Sequence, residues 1–185
     1  MATPPTFTVG QVLTAAQMNA VGLWLVKTQT VGTGVTSQNV TSCFSSDFDN
    51  YLISISDVNG SAGGGVIYGK LLVGTTPQTN GWYGNTFFIA AGAGGALSNA
   101  PTTNQSTFEI CCLTNTTNHR NSGVCQIQSP NLPRQTRSQY TNADDYYYRT
   151  GGFHLSNTTQ YDGLQILPSS GTLTGGTIRI YGYRN

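Results

Sequence analysis

Apolar and polar positions alternate along most of this chain, and a period of two predicts strands. NYLISISDVNG is the clearest case: Tyr51, Ile53 and Ile55 fall on one face, Ser54 and Ser56 on the other. VIYGKLLVG, the aromatic GWYGNTFFIAAG, VCQIQS, YYYRTGGFHLS, QYDGLQILP and TIRIYGYRN also read as strands, and VGTGVTSQNVTSCF is rich in Thr and Val. In STFEICCL, Phe108, Ile110 and Cys112 alternate with Glu109, Cys111 and Leu113. SAGGG, NTTNHRNSG and SSGTLTGG punctuate the strands as turns. GAGGALSNAPTTNQ and SPNLPRQTRSQYTNADD read as loops, the second long and polar. Short strands, frequent turns and no repeat of 20–50 residues predict an all-β fold, an antiparallel β-sandwich of jelly-roll type.

One stretch departs from this pattern. FTVGQVLTAAQMNAVGLWLV, from Phe7 to Val26, reads as a helix. Thr14 is placed to cap it, with Gln17 three residues on, and Leu13 and Met18 stand at the positions of a hydrophobic staple. Met18, Val21 and Leu25 recur along one face, Gly22 weakens the last turn, and the helix is expected to end near Trp24 or Lys27. The chain thus divides into an attachment segment, residues 1–27, with a short helix, and a β-sandwich domain, residues 28–185.

Composition narrows what such a domain does. Only 8% of the residues are charged, against a usual figure of about 25%, and the net charge is +1. The chain lacks the basic field that binds nucleic acid and the polybasic patch that holds a protein to an anionic membrane. Thr, Ser, Asn, Gln and Gly take the surface places of Lys and Glu. Such a surface is poorly protected against association and matches the charge depletion of interface cores. A symmetric homo-oligomer is expected on one reading, a solvated Thr- and Asn-rich face on the other. MATPPTFTVG has neither a basic nor an apolar leader region. The five sequons, at Asn39, Asn59, Asn104, Asn115 and Asn157, are read as products of composition. Cys43, Cys111, Cys112 and Cys125 form no C-x-x-C pair, and the chain reads as made in a reducing cytosol. One of Cys111 and Cys112 is expected to face the core; a bridge from either to Cys125 is the alternative.

No pattern marks an enzyme, a metal site or a cofactor site. His119 and His154 have no triad partners in view, and G-x-S-x-G is absent. Asp47, Asp49 and Asn50 in DFDN read as turn chemistry ahead of Tyr51 rather than as calcium ligands. Asp144 and Asp145 are adjacent and diverge on an extended chain, which does not suit glycoside hydrolysis. Ion pairs with nearby Arg134, Arg137 and Arg149 are expected instead. Trp82, Tyr83, Tyr146, Tyr147 and Tyr148 combine flat apolar faces with polar tips, the equipment for stacking on a sugar. Alternate tyrosines of a strand point inward, so core or subunit interface is the competing reading.

FTVGQVLTAAQMNAVGLW resembles the opening, and SGTLTGGTIRIYGYRN the close, of small structural proteins of tailed bacteriophages, including cyanophages. FDNYLISISDVNG, GWYG and TTQYDGLQILPSSG follow in the order that family shows, and the resemblance is weakest over residues 90–150. It implies a non-enzymatic virion component assembled in the host cytoplasm. The role expected first is a tail-fibre or tail-associated subunit, a trimer supporting attachment to a host surface glycan. The alternative is a decoration protein that reinforces the head. On either, Phe7, Val12, Leu13, Met18, Val21 and Leu25 dock the subunit onto other virion proteins or sister subunits, unless they cover one end of their own sandwich.

Overall fold

The computed structural model describes residues 8–12, 22–62, 65–90, 96–113, 121–143 and 147–183. Among these the chain is all β, with no helix. The strands are β1 (Trp24–Thr30), β2 (Gln38–Val40), β3 (Asn50–Gly60), β4 (Gly65–Val73), β5 (Thr76–Pro77), β6 (Trp82–Ala90) and β7 (Leu97–Gln105). They continue with β8 (Phe108–Leu113), β9 (Asn121–Gln128), β10 (Arg137–Ala143), β11 (Tyr147–Leu155), β12 (Gly163–Pro168), β13 (Leu173–Thr174) and β14 (Thr177–Tyr183). A nine-stranded sheet runs β1-β14-β3-β9-β10-β11-β6-β7, with β13 against β3; a five-stranded sheet runs β2-β12-β4-β5, with β8 against β4. The pairings are antiparallel, as alternation of this kind requires when one face is dry and the other wet.

One apolar core lies between the sheets. Tyr51, Ile53 and Ile55 of β3 enter it as expected, beside Ile178 and Ile180 of β14. The five-stranded sheet supplies Ile67, Leu71, Phe108, Leu164 and Ile166. A bulge follows Ile55 in the pairing of β3 with β9. Asp57 takes a left-handed φ of 61° there, a conformation Asp tolerates, and Val58 is thereby returned to the core.

Four expectations are corrected. The first is the helix. Residues 13–21 lie outside the described residues, and with them Thr14, Gln17, Leu13, Met18 and Val21; so does Phe7. Where the helix was expected to end, at Trp24 or Lys27, the chain is strand β1 and pairs with β14. Gly22 has a φ of 115°, outside any helix, and Trp24 and Val26 alternate onto the core. The sheet therefore includes Trp24 to Lys27. Leu25 and Val12 are both exposed.

Second, the expected loop GAGGALSNAPTTNQ contains β7, an edge strand of the large sheet. Its residues are mostly exposed, and Pro101 sits within it, a residue that sheets admit at edges. Third, the expected polar loop after Ser129 contains β10, with Ser138, Tyr140 and Asn142 turned inward in strict alternation. β9 likewise starts earlier than expected, at Asn121.

Fourth, β8 bulges against β4: Ile67 faces Cys111, and Tyr68 faces Glu109. Ile110 is the extra residue, so the alternation flips after it. Phe108, Ile110, Cys111 and Leu113 all join the core. Cys111, rather than Cys112, is the one in the core, although Cys112 is also buried.

Gly176, between β13 and β14, has a φ of 85°, and a Cβ there would stand 2.5 Å from the Ser56 carbonyl oxygen. Backbone conformation and backbone contact both select glycine. Gly176→Ala is expected to destabilise the fold by about 2–3 kcal/mol, read from the urea midpoint.

Candidate functional site

Charge clusters come first. Among the described residues no three His, Cys, Asp or Glu side chains approach closely enough to hold a metal ion. DFDN forms a turn: Ser45 Oγ donates to Asp47 Oδ2 at 3.1 Å, and the Asp49 carbonyl accepts from Ser129 N at 2.7 Å. Asp144, Asp145, Tyr146 and His119 lie outside the described residues. Two arginines have other partners. Arg134 reaches Asp49 at 4.0 Å on the surface. Arg149 reaches Glu109 at 3.6 Å, bridging the two sheets, with both side chains 13% exposed.

That bridge anchors a half-sealed polar cluster. Tyr140 Oη donates to Glu109 Oε2. The Arg149 guanidinium lies over the rings of Phe88 and Tyr147, at 5.0 and 4.8 Å. Burial, then the Glu109 charge, pushes the Tyr140 phenol far above its usual range. The cluster faces the interior and is structural.

The four cysteines are buried thiols, not bridges. Burial pushes the Cys43 and Cys125 thiols well above their ordinary range, which removes the thiolate that reaction would need. The unfolded chain releases these protons near pH 8.5 while the folded chain keeps them. Stability therefore falls as pH rises past about 8.5, by about 1.4 kcal/mol per pH unit for each such thiol. Urea midpoints compared at about pH 7.5 and about pH 9.5 test this, and native protein is expected to resist thiol reagents.

The outer face of the large sheet is different in kind. Among the described residues its outward strand positions carry the charged residues Arg137 and Arg179, with exposed Asp57 at the β3 bulge, and otherwise amides, hydroxyls and scattered apolar groups. Leu25, Phe87, Leu97, Val124 and Tyr148 are exposed on it.

Three rows of side chains cross the middle of this face. Val124, Thr141, Thr150 and Phe87 form the first. Leu52, Gln126, Gln139, Gly152 and Asn85 form the second. Gln128, Arg137, His154 and Tyr83 form the third.

Gly152 leaves a gap in the middle row: nothing lies within 4 Å of where its Cβ would stand. The gap opens into a trough of three joined depressions. One of about 430 Å³ reaches from Gly152 and Gln139 toward Leu52 and Val124. One of about 600 Å³ lies over Gln128, Arg137, Gln139 and His154. The third, about 400 Å³, continues past Arg137 to Asn50, Arg134 and Gln135. The loop after β9 walls that end; Ser129 N is tied to Asp49, and Arg134 Nε donates to Ser129 Oγ at 2.7 Å.

The residues read from sequence as sugar contacts are dispersed by this geometry. Trp82 is fully buried, against Phe108 at 4.5 Å, and its Nε1 donates to Gln78 Oε1 at 3.0 Å. It is a core residue, which corrects that reading. Tyr147 packs edge-on against Phe88 at 6.0 Å, toward the Arg149 cluster. Tyr148 points outward and is exposed, beyond the trough. Tyr83 alone borders the trough: it lines none of the depressions but stacks at 5.7 Å on His154, which does. The sequence reading missed Gln126, Gln128, Gln139 and Gly152. Only strand register brings them together, and no local motif marks them.

No protein-family model matches the chain, and neither the curated proteins nor the solved structures contain a significant match.

Proposed function

We propose that this chain is a non-enzymatic structural component of a tailed-phage virion, a tail-fibre or tail-associated subunit that supports host attachment. The carrying observation is the trough on a broad, nearly uncharged sheet face. A binding surface on the rigid face of a large sheet suits recognition, and the likeness of both chain ends to phage structural proteins supplies the context. The chain repeatedly crosses between the two sheets, β1 to β2, β3 to β4, and β11 to β12, which supports a jelly-roll winding. The remaining low-charge surface, with exposed Leu25, Leu97 and Tyr148, suits contact with sister subunits in a homotrimer and with other virion proteins.

The breadth and low charge of the same face also favour a second reading, a decoration protein on the head. Gold-labelled antibody on intact virions, with copy number from gel densitometry, separates the two. Label at the tail in few copies is the expected result. Label over the whole head in hundreds of copies would replace the attachment reading by the decoration reading. Absence from purified virions would overturn both.

A further inference from the structure

The trough's lining has a definite chemistry. Its walls are primary amides, each offering donors and an acceptor. Gln139 Nε2 donates to Gln126 Oε1, which orients the pair and leaves Gln126 Nε2 and Gln139 Oε1 for another partner. The Gln128 side chain lines the central depression. At one side the His154 imidazole lines the central depression and is braced by the Tyr83 ring, which stacks on it with an interplanar angle of 19°. Arg137 lines two of the three depressions, and no carboxylate lines any of them.

Each candidate ligand class can be set against that lining. A peptide strand would seek a sheet edge, where backbone groups are unpaired, and the trough lies mid-sheet. Nucleic acid needs a succession of cations along its phosphates; the trough offers Arg137 and Arg134, the latter already beside Asp49. An apolar small molecule would find amides where it needs hydrocarbon. Sugar hydroxyls both donate and accept, as amides do, and a pyranose has a flat C–H face for stacking. Three joined depressions, each within the ~300–1,000 Å³ of small-molecule sites, suit a chain of rings rather than one. The cation at one end selects an anionic substituent.

We infer that the trough binds an acidic oligosaccharide. Hydroxyls meet Gln126, Gln128 and Gln139, one ring packs on the His154 imidazole that Tyr83 braces, and a carboxylate, sulfate or phosphate of the sugar meets Arg137. The identification of the ligand as a host-surface glycan rests on the attachment reading above; the trough itself rests on its geometry.

The test uses the purified full chain on an array of oligosaccharides bearing uronic acid, sialic acid, sulfate or phosphate, with neutral oligosaccharides and oligo-dT beside them. Binding to at least one acidic glycan class is expected, then measured by calorimetry. Gly152→Val fills the gap on a backbone that accepts a side chain, so it is expected to keep the melting temperature and to weaken binding at least about tenfold. Arg137→Gln is expected to cost about tenfold for the acidic glycan and to leave its neutral counterpart unchanged. No binding to any acidic glycan, or binding indifferent to Gly152→Val in a folded variant, overturns the inference. Equal or tighter binding of oligo-dT replaces it with a nucleic-acid site. Glycan binding by a protein found on the head would sink the attachment reading and spare the trough; tail location without glycan binding would do the reverse.

Discussion

Trp82→Ala is expected to lower stability by about 4 kcal/mol, within the range of about 3–5 for emptying an aromatic site in a closed core. The indole is fully buried and joins the sheets, with β6 behind it and Phe108 of β8 in front at 4.5 Å. Its removal also strands Gln78. That side chain is 8% exposed, accepts from the indole at 3.0 Å, and donates to the Asn80 carbonyl at 2.9 Å. Losing its donor leaves a buried acceptor unsatisfied, which adds to the cavity. Trp82→Phe keeps most of the volume and is expected to cost about half as much. Urea unfolding followed by circular dichroism gives both values. A Trp82→Ala midpoint close to wild type would place the ring outside the core and reopen its reading as a surface contact.

Arg149→Met is expected to cost about 3 kcal/mol or more, although Met fills much of the same space. Glu109 is then left nearly buried, with Tyr140 Oη as its hydrogen-bond donor but no countercharge. The stacking of the guanidinium on Phe88 and Tyr147 is lost as well. The double variant Arg149→Met/Glu109→Gln separates the causes. It removes the charge together with its partner, keeps an acceptor for Tyr140, and is expected to recover most of the loss. A double variant as unstable as the single one would assign the effect to packing instead. The arginine's Nε is already buried without a partner, so the wild-type pair is itself imperfectly satisfied.

The strands whose inward positions are apolar were readable in advance. β3 announced itself through Tyr51, Ile53 and Ile55, and β4, β6, β9, β11, β12 and β14 through similar runs. β10 did not, because its inward residues Ser138, Tyr140 and Asn142 carry polar groups, and Tyr140 and Asn142 are buried through partners on other strands. Asn142 is the example: it accepts from Cys112 N at 2.9 Å and donates to the Ser122 carbonyl at 2.7 Å. β7 was illegible for the opposite reason, since an exposed edge strand has no dry face to imprint on the sequence. The trough was less legible still. Tyr83, Arg137 and His154 are remote in sequence and adjacent only through register. Its central feature is a side chain that is missing. Tyr83 was picked out from sequence because aromatic residues advertise themselves; the glutamines around it do not.

The position of β14 governs how this molecule can be made. It lies between β1 and β3, so the last strand of the sheet is inserted beside two of the first. Until β14 has emerged from the ribosome, β1 lacks its pairing partner and β3 presents one bare edge. Ile178 and Ile180 are missing from the core over the same interval. The nascent chain therefore waits with open strand edges and few charges to keep copies apart, the condition under which strands pair between molecules. A slow step that must wait for β14 follows, sensitive to crowding on polysomes and to chaperone supply.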